Sequence, residues 1–243
     1  MKNLYLTLLF VSLCFGDLWA ADGDEILKKV DRNLTPETFE SYRKLINIQP
    51  DGKNREFLLY TLKKGNDKVA SLFLAPASEK GRSTLRLDEN MWLFIPDVGK
   101  PIRITSLQSV IGGVFNNSDI MRLDYSVEYS VEETEESDDE YRLKLKAKTT
   151  SVAYDSLRMR VDKKNMVPIE IECLAASGML IKTLYFKQMT KFDDGIARPA
   201  VIETDSPLFK GYKSIMIYAR IQKRDIEDEV FTLTFLPRID SIR

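Results

Sequence analysis

The 243 residues carry 36 Lys and Arg against 37 Asp and Glu, a formal net charge of −1, and contain no histidine. That balance gives no basic surface of the kind a nucleic-acid partner requires. The missing histidines remove Ser-His and Cys-His nucleophile pairs, His-ligated zinc and imidazole bases together, while catalysis by carboxylates or Ser-Lys pairs remains open.

Residues 1–21 are expected to be a cleavable signal peptide. Lys2 gives the positive start, 4–15 is almost wholly apolar, and Trp19-Ala20-Ala21 supplies the small residues at which a peptidase cuts. The apolar run is well short of the roughly 20 residues of a spanning helix. Cys14 falls inside this leader, and Leu13 before it argues against lipid attachment. Cleavage removes Lys2 and Asp17 together and leaves one cysteine, Cys173, so the mature part forms no internal disulfide. The expected location is the periplasm, with stability supplied by burial.

Residues 22–33 predict one short helix, with acids in its first turn and Ile26, Leu27 and Val30 on one face, ended by Thr35-Pro36. Turn signals then recur at the spacing of an antiparallel meander. Strands are predicted over 39–48, 55–63, 68–75, 83–87, 91–96 and 102–105. From Ser106 the paired Gly112-Gly113 and the cluster Asn116-Asn117-Ser118-Asp119 predict a short helix and a mobile loop. Strands resume over 122–131. The acidic run 132–140 reads as a solvated hairpin tip; it lacks the glycine and ligand spacing of a calcium loop. Further strands follow over 141–149, 157–161, 169–174, 180–189, 198–204, 214–224 and 231–236. No repeat or linker divides them, and 22–243 is expected to form a single domain.

Several strands alternate strictly. Leu143, Leu145 and Ala147 oppose Arg142, Lys144 and Lys146; Leu157, Met159 and Val161 oppose Arg158 and Arg160; Ile169, Ile171 and Cys173 oppose Glu170 and Glu172; Ile215 and Ile217 oppose Met216 and Tyr218. Each such strand has one dry and one wet face. A twisted sheet of about thirteen strands curls, gathering its dry faces on the concave side. The pattern alone leaves open whether side chains fill that side or an apolar ligand does.

Met91-Trp-Leu-Phe-Ile-Pro96, then Arg103-Ile104 and Gly112-Gly-Val-Phe-Asn-Asn-Ser-Asp-Ile120, resemble the outer-membrane lipoprotein-sorting family of LolA-like and LolB-like carriers. The similarity continues through Val161-Asp162-Lys163, Pro168-Ile169, Gly178 with Lys182-Thr183, Arg198-Pro199 and Phe231-Thr232. The resemblance implies a mainly β fold, a half-open antiparallel β-barrel with an N-terminal helix and a short helical lid, and an apolar cavity that takes acyl chains. The function it implies is non-catalytic carriage of a lipoprotein or lipid towards the outer membrane. The partners would be the acylated cargo, an inner-membrane transporter as donor and an outer-membrane acceptor, with no cofactor and no metal.

On that reading Leu85, Leu87, Trp92, Phe94, Leu157, Met159, Ile169, Ile171, Leu184, Phe186, Ile215 and Ile217 line the cavity. Val110, Ile111, Gly112, Gly113, Val114 and Phe115 form the lid or its hinge. An envelope adaptor with a filled core is the alternative. A histidine-free lipid-processing enzyme is a weaker one; it would need two carboxylates converging in the cavity, whereas the charges of the alternating strands sit on their wet faces.

Overall fold

The computed structural model describes residues 22–243, so the expected leader and Cys14 lie outside the described residues. Asp22 caps the first helix, α1 (Gly23–Leu34), by accepting from the Asp24 amide at 3.1 Å. Asp24 and Glu25 in its first turn and Arg32 in its last complement the helix dipole. Ile26, Leu27, Val30 and Leu34 are buried along one stripe.

Thirteen strands then form one continuous antiparallel sheet: β1 (Phe39–Ile48), β2 (Asn54–Lys64), β3 (Lys68–Ala75), β4 (Ser83–Leu87), β5 (Asn90–Phe94), β6 (Ile102–Ile104), β7 (Tyr129–Glu136), β8 (Glu140–Ala147), β9 (Ser156–Asp162), β10 (Val167–Leu174), β11 (Leu180–Lys191), β12 (Ala197–Asp205) and β13 (Lys213–Lys223). Their order is β6-β5-β4-β3-β2-β1-β13-β12-β11-β10-β9-β8-β7, so β1 and β13 meet in the middle and the sheet stays open at β6 and β7. The expected half-open antiparallel architecture is therefore present.

One predicted strand is a strand only in its last three residues, and another is not a strand. Over 122–131 a short helix, α3 (Tyr125–Glu128), precedes β7. The sequence alternates there, but Asp31 of α1 accepts from the Tyr125 and Ser126 amides at 2.8 Å each and satisfies a helix start. The C-terminal stretch 231–236 falls between two 3₁₀ turns, Asp228–Phe231 and Leu236–Ile242. Pro237 removes an amide donor there. Ile226, Val230, Phe231, Leu236 and Ile239 instead lie on the convex face, over Tyr60, Leu62, Ala70, Leu72, Leu85 and Phe94.

Strands β2 to β5 are consequently buried on both faces. The larger cluster, on the concave side, joins α1 to Leu143, Leu145, Leu157, Met159, Val161, Ile171 and Leu184. Residues 105–128, which contain the helical turns α2 (Asn117–Ile120) and α3, pack into the same cluster through Val110, Phe115, Ile120, Met121, Leu123 and Tyr125.

Candidate functional site

The concave wall has two unlike halves. On β9 to β13 it is apolar: Leu157, Ile171, Cys173, Leu184, Phe186, Ile202 and Tyr218 border a small cavity. On β1, β2 and β4 the register sets Arg43, Lys63 and Arg86 on the same face as Leu45, Leu59, Val69 and Met91. Lys182 of β11, opposite Cys173 on β10, joins them. All four cations are buried, which is tolerable only when each is paired or hydrogen-bonded.

Residues 105–128 supply those partners. Arg43 donates from Nη1 and Nη2 to the Ile120 carbonyl, both at 3.1 Å, and from Nη2 to Thr61 Oγ1. Lys63 pairs with Asp124. Arg86 donates to the Met121 carbonyl at 3.2 Å and pairs with Glu128. Lys182 donates to the Val114 carbonyl at 2.6 Å and to Asp119 Oδ2 at 2.7 Å. Burial pushes the Lys63 ammonium below its ordinary value even though Asp124 opposes the shift. Burial likewise raises the Asp31 carboxyl, against the lowering by Arg122.

The local sequence explains why this segment holds its shape. Asn116 and Asp119 form a reciprocal capping box at α2, with bonds of 3.0 and 2.8 Å. Tyr154 donates its hydroxyl to Asp119 at 2.9 Å and accepts from the Asn116 amide group at 2.9 Å. Upstream, the Val114 amide donates to Ser214 Oγ at 2.9 Å, and that hydroxyl donates to Asn47 Oδ1 at 2.8 Å. Gly112 adopts a left-handed φ of +72°. Gly113 is needed for a different reason: a β-carbon there would overlap the Asn47 carboxamide, 2.5 Å from its Cγ.

The space left is small. The cavity under Phe115, Tyr125 and Tyr129 measures about 40 Å³, enough for a water or two rather than an acyl chain. The chain's own residues fill the concave side. Asp119 and Glu128 both border the cavity, but each is held by a buried cation, so neither is a free acid or base.

Of the residues expected to line a cavity, Leu157, Ile171, Leu184 and Phe186 border this one, and Met159 is buried in the concave cluster beside them. The other seven lie elsewhere. Leu85, Leu87, Trp92 and Phe94 point to the convex face beneath the C-terminal turns, because their strands are two-sided and the opposite parity faces inward. Ile169 falls at an irregularity between Pro168 and Glu170. Ile215 and Ile217 are half-buried; Ser214 and Met216, at the alternate positions, face inward. Residues 110–115 lie across the concave face, with Val110, Val114 and Phe115 buried and Ile111 packed against the cluster. Arg43, Lys63, Arg86 and Lys182 were missed. Their signal is a charge at the parity that otherwise carries Leu59, Val69 and Met91.

A family profile described as an uncharacterized-protein-like family matches residues 65–238. The chain belongs to that family, and its fold is LolA-like. A LolA superfamily protein from Nitrosomonas europaea is 29% identical, with a TM-score of 0.79 over 88% of this chain and 98% of that one. A domain from Vibrio parahaemolyticus described as an outer membrane lipoprotein-sorting protein is 18% identical, with a TM-score of 0.74 over 89% and 98%. A Desulfovibrio piger protein, from a family of unknown function, is 22% identical with a TM-score of 0.76 over 88% and 97%. No curated protein matches the chain by sequence.

Proposed function

We propose that the chain is a non-catalytic periplasmic carrier. It takes acyl chains of a lipoprotein or lipid against Leu157, Ile171, Leu184, Phe186 and Ile202 when residues 105–128 move aside, and carries them towards the outer membrane. An inner-membrane transporter would load it and an outer-membrane acceptor would relieve it. Exposing a chain of roughly fifteen carbons costs on the order of 10 kcal/mol at about 0.8 kcal/mol per methylene, so a soluble shuttle must cover its cargo.

The observation that carries this reading is the kind of fastening used. The apolar wall is covered by one contiguous segment that, besides packing Val110, Phe115, Ile120, Met121, Leu123 and Tyr125 into the cluster, is fastened by hydrogen bonds and ion pairs to strand-borne cations. Such contacts exchange for water and ions more readily than an interdigitated core does. Native mass spectrometry of protein purified from the periplasm tests it. A co-purifying acylated mass, or uptake of a chain-labelled lipid by the bare protein, is expected; a bare mass together with no uptake would overturn it. The filled interior of the closed state favours a second reading, an envelope adaptor, which predicts that bare mass and a stable protein partner.

A further inference from the structure

Among the described residues, the charged side chains that the strands bury beneath residues 105–128 are all cations, Arg43, Lys63, Arg86 and Lys182, while Arg198 of β12 is buried against the end of α1 and paired with Asp194. The carboxylates that answer them, Asp119, Asp124 and Glu128, all belong to residues 105–128. Displacing that segment to admit a cargo therefore removes three carboxylates and several carbonyls at once. What remains is an apolar half-wall beside a buried cationic one, and exposing the second to a neutral cargo would leave desolvated charges uncompensated.

Arg43 marks the centre of the cationic half. Even with the segment closed it meets no carboxylate among the described residues, and its Nε has no hydrogen-bond partner. Two neighbours, Thr35 Oγ1 and Ser41 Oγ, are also buried and unpartnered, and all three residues border one cavity of about 20 Å³. Two hydroxyls and a guanidinium N–H are a donor set suited to an anion. Tyr218 borders both this cavity and the apolar one, with the Arg43 guanidinium 5.7 Å from its ring centroid. The donor site and the apolar wall are therefore contiguous.

We infer that the cargo is an anionic amphiphile whose acyl chains lie on β9 to β12 and whose phosphate or carboxylate head sits on Arg43, Lys63 and Arg86. This rests on the carrier reading and narrows it to a class of lipid. The head replaces the carboxylates and carbonyls withdrawn with residues 105–128, so loading and opening are the two sides of one exchange of anions.

The test presents two lipids with identical chains, phosphatidic acid and diacylglycerol, which lacks the phosphate, labelled on the chain with different fluorophores, in the same phosphatidylcholine vesicles, so that surface charge is shared. After incubation with the full mature protein and removal of vesicles, the expected protein-bound ratio favours phosphatidic acid by tenfold or more. Arg86→Gln combined with Glu128→Gln, which removes both members of one pair, should cut that ratio several-fold. Equal uptake of the two lipids by the wild-type protein overturns the inference and leaves the carrier reading standing. Uptake of neither overturns both. The wild-type comparison decides the matter even if the double variant fails to fold.

Discussion

Gly113→Ala perturbs the cover where it meets the strands at Asn47. The added methyl meets the Asn47 carboxamide, which is buried and accepts from Ser214 Oγ at 2.8 Å, while that hydroxyl accepts from the Val114 amide at 2.9 Å. Overpacking of this kind costs about 1–3 kcal/mol, and loss of either hydrogen bond adds about 1 kcal/mol. A net penalty on the closed state of about 2 kcal/mol raises the open population roughly 30-fold. Cys173 is the built-in reporter: it is buried, borders the cavity, and burial pushes its thiol well above the usual 9.0. Labelling by a thiol reagent in native buffer should therefore accelerate by about that factor. A shallow dependence of the labelling rate on urea would identify local opening rather than global unfolding. An unchanged rate, or one that rises only in step with global unfolding, would refute the reasoning.

Gly112→Ala offers the contrasting case, since a β-carbon there meets no atom within 4 Å and only the φ of +72° resists it. A cost of about 1 kcal/mol and a labelling change of only a fewfold are expected. Leu236→Ala, in the convex cluster, should lower unfolding free energy by about 2–5 kcal/mol in urea titration. It should leave lipid uptake per folded molecule unchanged; a selective loss of uptake would contradict the placement of the site on the other face. Asp194 sets an acid limit: burial raises its carboxyl, but the bonds from Arg198 and the Ile196 amide outweigh that and hold it below the ordinary 3.8. A depressed carboxylate contributes stability that is full above the unfolded value and lost as pH falls through the folded one. Asp194→Asn should therefore flatten the decline in thermal midpoint below about pH 4, and an unaltered acid limb would show the pair to be inert.

The strands were legible because their period is local. Phe39–Ile48, Lys68–Ala75 and Ser83–Leu87 were all readable from alternation and turn residues to within their observed bounds. Which face a strand turns inward was less so. At Leu85 and Trp92 the apolar parity is real, but it answers a C-terminal segment some 140 residues away in sequence. Apolar runs such as Phe57-Leu-Leu-Tyr-Thr-Leu62 did carry the warning, since strands covered on both faces lose their alternation. The short helix at Tyr125–Glu128 depended on a carboxylate from Asp31, a partner no local window contains. Arg43, Lys63, Arg86 and Lys182 were hidden for the same reason: a charge inside a dry face makes sense only once the segment that neutralises it is in place.

That segment explains how a filled barrel remains compatible with opening. Were residues 105–128 held only by interdigitated apolar side chains, each methylene withdrawn to water would cost about 0.8 kcal/mol, and nothing would be recovered from the solvent. A buried ion pair behaves differently, because its attraction is largely offset by the dehydration of both partners and its net contribution to the closed state is small. Breaking one side alone is costly, as it strands a charge. The four cations thus resist piecemeal fraying of the cover and make its departure all-or-none, while adding little to the gap between closed and open that its buried apolar side chains set. An incoming anionic head that takes up the stranded charges lowers the gap, and a neutral head does not. Fastening and cargo choice would then share three side chains, Arg43, Lys63 and Arg86.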